Sequence, residues 1–225
     1  MCNIVNNYEL FIFDLDDTLV ETEKYHYESW LHVLKEYIGT NFSMDYTYFI
    51  HKFHSVKYDA IKNYLFDELG IKDYDNIINE KNMYFLNLIK TKHIKLINGV
   101  QDFLDLIILH NKKFVIVTNG IKNNLEYFLE LFPILKKSSY NYYRERFIKK
   151  KPDPECYLQV IKDFPNMKMI GFEDSITGIH AMSQVHCIDT VFINNTQYYY
   201  YNYIKETYKL KYVITDYNDL YMVNV

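Results

Sequence analysis

The sequence predicts an α/β fold, a parallel sheet covered by helices on both sides and interrupted after its first strand by an all-helical insert. Three observations lead there. Short apolar runs that end abruptly in polar clusters occur at residues 10–13, 112–120 and 167–175, the pattern of strands buried on both faces. From Asn98-Gly99 onward such runs alternate with helix-period stretches, the order of a parallel sheet. Between residues 23 and 90 only helical periodicity occurs, so the strand at Leu10 must find its partners in the later part of the chain.

Taken in order, Leu10, Phe11, Ile12 and Phe13 form the first strand, and Asp14, Asp16, Asp17 and Thr18 follow it at once. Tyr27, Trp30, Leu31, Leu34 and Ile38 recur at helical spacing, with Gly39 as the stop. Further helices are predicted over 45–53, over 57–69 with Gly70 ending it, and over 73–90, carrying Ile77, Tyr84, Leu88 and neighbours. Residues 100–110 read as a helix, 112–120 as a strand with a polar turn, and 125–131 as a helix stopped near Pro133. A strand over 167–175, a helix over 176–185, a strand over 188–193 and a short strand over 212–214 complete the chain. The predicted division is an α/β core of residues 1–22 and 93–225, with a helical cap of residues 23–92. Hinges are expected where the two connections cross, near 21–23 and 92–98.

Composition narrows the function. At 225 residues the chain can bury a substantial core, and 49% hydrophobic with 24% charged residues is ordinary for a globular protein. A net charge of −4 offers no basic field for nucleic acid. Cys2, Cys156 and Cys187 are odd in number and lack CxxC spacing, against a disulfide framework or zinc site and for a reducing compartment. No apolar run approaches the roughly 18 residues that span a bilayer, and the first residues lack a signal-peptide pattern. The expectation is a cytoplasmic protein with no nucleic-acid or membrane partner, a monomer or weak homo-oligomer. The 24 tyrosines read as compositional bias.

The chemistry concentrates at strand ends, where open parallel sheets place their ligands. Asp14, Asp16 and Asp17 would repel one another strongly unless a cation sat among them, and hard oxygen donors suit Mg²⁺. Thr118, Asn119 and Gly120 offer a hydroxyl and turn N–H groups that can cradle a phosphate oxygen. Lys151 precedes Pro152 and Pro154, whose fixed φ stiffens the segment and aims the ammonium, while Lys149 and Lys150 read as a solvated run. Glu173 and Asp174 end another apolar strand and can complete a metal shell, with Gly178 in the next helix.

The set DLDDT, VTNG, KKPDP and GFEDS, in this order, resembles the haloacid dehalogenase-like hydrolase superfamily over nearly the whole chain. VETEKYHYESW and KPDPECY are similar to its β-phosphoglucomutase and phosphoglycolate phosphatase-like branch. The resemblance implies a Rossmann-like, three-layer α/β/α core with the helical insert as cap. It implies a Mg²⁺-dependent phosphatase acting on a small phosphorylated metabolite through an aspartyl-phosphate. Asp14 would be the nucleophile and Asp16 the general acid/base. Thr118 and Lys151 would hold the phosphoryl group, with Asn119 and Gly120 beside it. Asp14, the Asp16 carbonyl, Asp174 and Glu173 would hold the metal. His26, twelve residues after Asp14, would help position the acid/base, and Lys57 would meet the substrate's distal group. The chain departs from the family at Asp17, where Gly is also common, at Gln184-Val185, where a small pair is usual, and in the Tyr-rich segment 136–146.

Other readings are a phosphomutase using the same nucleophile and a non-enzymatic protein that keeps the fold. A dehalogenase is disfavoured, since that chemistry does not need a metal site. His51 and His54 share a helix face without a third ligand nearby in sequence, and His180 and His186 read as surface or packing residues. The tyrosines of 198–201 lack the interleaved basic residues of a base-stacking surface, and Trp30 reads as cap core.

Overall fold

The computed structural model of the protein describes residues 4–54, 56, 58–194 and 201–222, with the backbone alone at residue 58. Lys57, Cys2 and the tyrosines at 198–200 lie outside the described residues. The chain divides into two units, Met1–Glu21 with Lys95–Val225, and Thr22–Ile94.

In the first unit a short helix, α1 (Ile4–Asn7), leads into β1 (Leu10–Phe13). The remaining strands are β2 (Lys113–Val117), β3 (Tyr140–Tyr142), β4 (Met169–Glu173), β5 (Ile188–Ile193) and β6 (Tyr212–Ile214). They pair in the order β3-β2-β1-β4-β5-β6, and every pairing is parallel. The core is therefore the Rossmann-like α/β sheet that the alternating pattern predicts, with β1 in its interior.

Period-2 alternation sorts the side chains of β1 to two faces. Leu10 and Ile12 join Val115, Val117, Cys156, Tyr157, Val160, Ala181 and Met182 in one cluster. Phe11 and Phe13 meet Phe103 edge-on, and Phe13 stacks on Phe172 at 4.7 Å. Tyr217 closes this aromatic face and donates its hydroxyl to the Thr18 carbonyl at 3.1 Å. Each face buries several aromatic or aliphatic side chains fully, which fixes the register of the central strand.

The second unit contains α2 (Glu23–Ile38), α3 (Tyr46–Lys52), α4 (Tyr58–Asn63) continued by a π-helical turn (Tyr64–Glu68), and α5 (Tyr74–Thr91). Among its described residues all the regular structure is helical. Asp45 and Asp73 cap α3 and α5 by accepting from Tyr48 N and Asn76 N. Trp30 is buried in the core of this unit, 4.5 Å from Phe53. The buried faces keep Trp30, Leu34 and Ile77 of the expected residues and differ elsewhere. In α2, Tyr25, Ser29, Val33 and Leu34 turn inward while Ile38 is exposed. In α5 the inward stripe is Ile77, Lys81, Phe85 and Ile89 at four-residue spacing, in place of Tyr84 and Leu88. Lys81 thus occupies a core position.

The core helices are α6 (Val100–Leu109), α7 (Lys122–Leu131), α8 (Glu155–Asp163), α9 (Ile176–Ser183) and α10 (Tyr201–Thr207). α1, β3, α8 and α10 are additional to the predicted elements. β3 is three residues of Tyr-Asn-Tyr at the sheet edge, too short to show a period. α8 starts from Pro154, and its inward residues Cys156, Tyr157 and Val160 span little more than one turn. The two crossings of the chain out of and into the core run side by side. Glu21 N donates to Lys95 O at 3.0 Å and Ile97 N to Leu19 O at 3.0 Å, across an antiparallel bridge of Val20 with Leu96.

Candidate active site

The register of the three middle strands brings the polar clusters together. Phe13 is level with Ile116 on β2 and with Phe172 on β4, so the residues that follow emerge at the same edge. Asp14 N donates to Phe172 O at 3.1 Å and Thr118 N to Tyr142 O at 2.9 Å, extending the ladders by one residue. Beyond Asp14 the chain reverses tightly. Asp17 adopts φ 54°, and its N–H donates to Val20 O at 2.8 Å. That left-handed position explains why Gly also suits it, and Asp is among the side chains that tolerate it.

Asp14, Glu173 and Asp174 are all buried and each offers an oxygen within 4.8 Å of the others. Lys151 Nζ lies 2.6 Å from Asp14 Oδ1, 2.6 Å from Glu173 Oε1 and 2.7 Å from the Val117 carbonyl. These three acceptors match the three N–H donors of an ammonium. Thr18 donates to Asp174 Oδ1 at 2.9 Å, and Thr118 Oγ1 to Asp16 Oδ2 at 3.4 Å. Gly120 N donates back to Thr118 Oγ1 at 2.8 Å. A Cβ on Gly120 would stand 3.0 Å from Thr118 Oγ1 and 3.3 Å from Asp16 Oδ2, so glycine keeps the space in front of both oxygens clear.

Burial pushes the Asp14 carboxyl well above the usual carboxylate range; Lys151 opposes this, and Glu173 and Asp16 add to it. Asp174 is raised in the same way by burial, Asp14, Asp17 and Glu173, with Thr18 opposing. For Lys151, burial works against the charge, but Asp14 and Glu173 outweigh it and hold the ammonium above its ordinary value. Fully ionised, the three carboxylates and the one ammonium sum to two negative charges in a buried site. A hard divalent cation fits both that charge and an all-oxygen donor set.

The side chain of Asn119 is spent on Lys151. Its Oδ1 accepts from Lys151 N at 3.1 Å and its Nδ2 donates to Lys151 O at 3.3 Å, so it clamps the lysine backbone to the turn after β2. The unusual segment 136–146 also has a structural role. Glu145 accepts from Lys122 N at the start of α7, and Arg144 N donates to Gly120 O at 3.0 Å. Among cysteines, Cys156 is buried, and burial pushes its thiol up to about 12.

In the helical unit, His26 Nδ1 lies 2.8 Å from Lys81 Nζ, and its ring stacks flat on Phe85 at 4.0 Å. Lys81 is only 7% exposed and also lies over the rings of Trp30 and Phe85. His54 Nδ1 stands 3.8 Å from the buried Glu23, which accepts from Tyr46. Burial, with His26 nearby, lowers His54 to about 3. Lys81 was missed in the sequence, although a lysine on an i, i+4, i+8 apolar stripe is the available signal. His51 is exposed, His186 is exposed, and His180 Nδ1 lies 3.1 Å from Tyr208 Oη on the surface of α9.

A family model described as haloacid dehalogenase-like hydrolase matches residues 11–217. Solved structures superpose over nearly the full length. A haloacid dehalogenase-type hydrolase, family IA, variant 3, from Entamoeba histolytica HM-1:IMSS has a TM-score of 0.79 at 20% identity, covering 96% of each chain. A predicted phosphoglycolate phosphatase from Haemophilus somnus 129PT has a TM-score of 0.76 at 18% identity, covering 96% of this chain and 97% of that one. A β-phosphoglucomutase from Clostridium difficile has a TM-score of 0.73 at 25% identity, covering 95% and 93%. No curated protein matches the chain.

Proposed function

The chain belongs to the haloacid dehalogenase-like hydrolase family, and we propose that within it the chain is a Mg²⁺-dependent phosphatase of small phosphorylated metabolites. The observation that carries this reading is the position of Lys151, its ammonium shared between Asp14 and Glu173 beside Asp174 at one sheet edge. Asp14, Asp174, the Asp16 carbonyl and Glu173 would hold the ion, which would supply charge neutralisation for the phosphoryl oxygens.

In the proposed reaction the Asp14 carboxylate attacks phosphorus and forms an aspartyl-phosphate as the ester oxygen leaves. Asp16, two residues on, protonates that oxygen and then takes a proton from the water that hydrolyses the acyl phosphate. Lys151 and Thr118 hold the phosphoryl oxygens, and Gly120 leaves room for them in front of Asp16. Asn119 contributes by fixing the Lys151 backbone.

The test is hydrolysis of p-nitrophenyl phosphate and a panel of sugar phosphates, nucleotides and phosphoglycolate, with Mg²⁺ and with EDTA. Turnover should need Mg²⁺ and vanish in Asp14→Asn, a nearly isosteric change that relieves carboxylate repulsion and keeps the fold. Metal-independent turnover, or activity retained in the variant, would overturn the reading. A phosphomutase is the second reading. It is favoured by His26, held by the buried Lys81 in the helical unit, and by the likeness to the C. difficile enzyme. Isomerised sugar phosphate in place of free phosphate would select it.

A further inference from the structure

We propose that Tyr157 is a positioning residue for Lys151, acting through Glu173; this rests on the phosphoryl-transfer reading above. Tyr157 lies six residues after Lys151, in the first turn of α8, and its side chain is fully buried. Its hydroxyl donates to Glu173 Oε1 at 2.6 Å, the same oxygen that accepts from Lys151 at 2.6 Å. The face of its ring stands 5.3 Å from Lys151 Nζ. Tyr157 therefore bears on the ammonium twice, by a shared acceptor and by a cation–π contact.

The shared acceptor sets how the ammonium is divided. All three Lys151 N–H groups are engaged, by Asp14, Glu173 and the Val117 carbonyl, so an arriving phosphoryl oxygen must take over or share one of them. Glu173 is the strong competitor, a carboxylate with no exposure to water. The Tyr157 hydroxyl satisfies part of Oε1 and so weakens the hold of Glu173 on the lysine. Ser175 Oγ donates to the other oxygen, Oε2, at 3.1 Å. Without the Tyr157 hydroxyl, Oε1 has Lys151 as its remaining partner in this network, and the ammonium is drawn toward Glu173, away from Asp14 and the phosphoryl group.

Tyr157→Phe removes one oxygen and keeps the ring, its packing and its contact with the ammonium. On the full chain, kcat for p-nitrophenyl phosphate and affinity for inorganic phosphate should each fall, kcat by roughly 10- to 100-fold, the range for a hydrogen bond to a charged group. Mg²⁺ affinity measured by calorimetry should change far less than phosphate affinity, since Glu173 is the one proposed ion ligand that the hydroxyl contacts. 3-Fluorotyrosine at position 157, which keeps the donor, should restore turnover. Unchanged kcat and phosphate affinity would overturn the proposal. So would a parallel loss of Mg²⁺ affinity, which would place Tyr157 in service of the metal shell. Loss of folding would also overturn it, since the hydroxyl would then be structural. If the wild-type protein hydrolyses no phosphate ester, the functional reading falls by itself. Phosphate affinity then decides: weakened in Tyr157→Phe, the positioning role stands; unchanged, it falls.

Discussion

Gly178→Ala sets two effects of opposite sign against each other. Gly178 is the third residue of α9, and replacing an interior helical glycine with alanine ordinarily stabilises by about 0.5–1 kcal/mol. Here the added Cβ would stand 2.0 Å from Glu173 Cδ and 2.1 Å from each carboxylate oxygen. Glu173 cannot swing aside freely, because Lys151, Tyr157 and Ser175 all hold it. Overpacking costs about 1–3 kcal/mol, and each disturbed hydrogen bond to the charge adds about 1.5–3 kcal/mol. The clash therefore wins by roughly 2–5 kcal/mol, the helix gain subtracted. Displacing Glu173 also moves a carboxylate proposed to hold the ion and alters the setting of Lys151, so turnover should fall with stability. Denaturant titration gives the first quantity and p-nitrophenyl phosphate hydrolysis the second. A variant more stable than wild type by the ordinary helical increment, with full activity, would refute both the packing argument and the anchoring of Lys151.

The remaining predictions concern the two carboxylate roles. Asp16→Ala should lower turnover by about 10²–10⁴-fold, the usual contribution of a general acid/base, and an unchanged rate with an alkyl phosphate would remove Asp16 from the reaction. Asp14 and Asp174 have folded-state pKa values raised by burial and by one another. Their contribution to stability is full below the unfolded carboxylate value of about 4 and is lost as pH rises through the folded values. The protein in EDTA should therefore melt at lower temperature as pH rises from about 5 to about 8, while Mg²⁺, which favours the charged forms, should hold the melting temperature up. Thermal melts should show a gap between the two conditions that widens with pH; a constant or shrinking gap would count against an ion among these carboxylates.

Much of the fold was legible because its signals are local. Leu10 to Phe13, buried on both faces, and the polar break at Asp14 mark an interior parallel strand without reference to any other segment. Helical spacing between residues 23 and 90 likewise announces the helices of the second unit. β3 and α8 escaped for different reasons. β3 is two tyrosines about an asparagine, held as a strand by pairing with β2. α8 does carry an inward face of Cys156, Tyr157 and Val160, but it begins directly after Pro152 and Pro154, which read as a stiff turn segment. The buried stripes of α2 and α5 differ in part from the expected residues because Ser29 and Lys81 turn inward. Ser29 does so by donating to Tyr25 O at 2.6 Å, and Lys81 by resting on aromatic rings with its ammonium at His26.

The site divides along the same line. Carboxylates at strand ends are visible as types and spacings, so Asp14, Asp16, Glu173 and Asp174 could be picked out before their distances were known. What fixes them in place is long-range and reads as ordinary sequence. Asn119 reads as an ordinary turn residue offering a backbone N–H, yet both ends of its side-chain amide are spent on the backbone of a residue 32 positions away. Gly178 looks like a helix irregularity until the Glu173 carboxylate is found in the space a methyl would fill. Tyr157, one of 24 tyrosines, gains its meaning only from the oxygen it shares with Lys151. A cluster of three buried carboxylates around one ammonium costs heavily in desolvation, and such a cluster persists when its remaining lone pairs and N–H groups are satisfied. The residues hardest to read from the sequence are those that meet this requirement, because hydrogen-bond complementarity is a property of the folded arrangement and leaves no period in the chain.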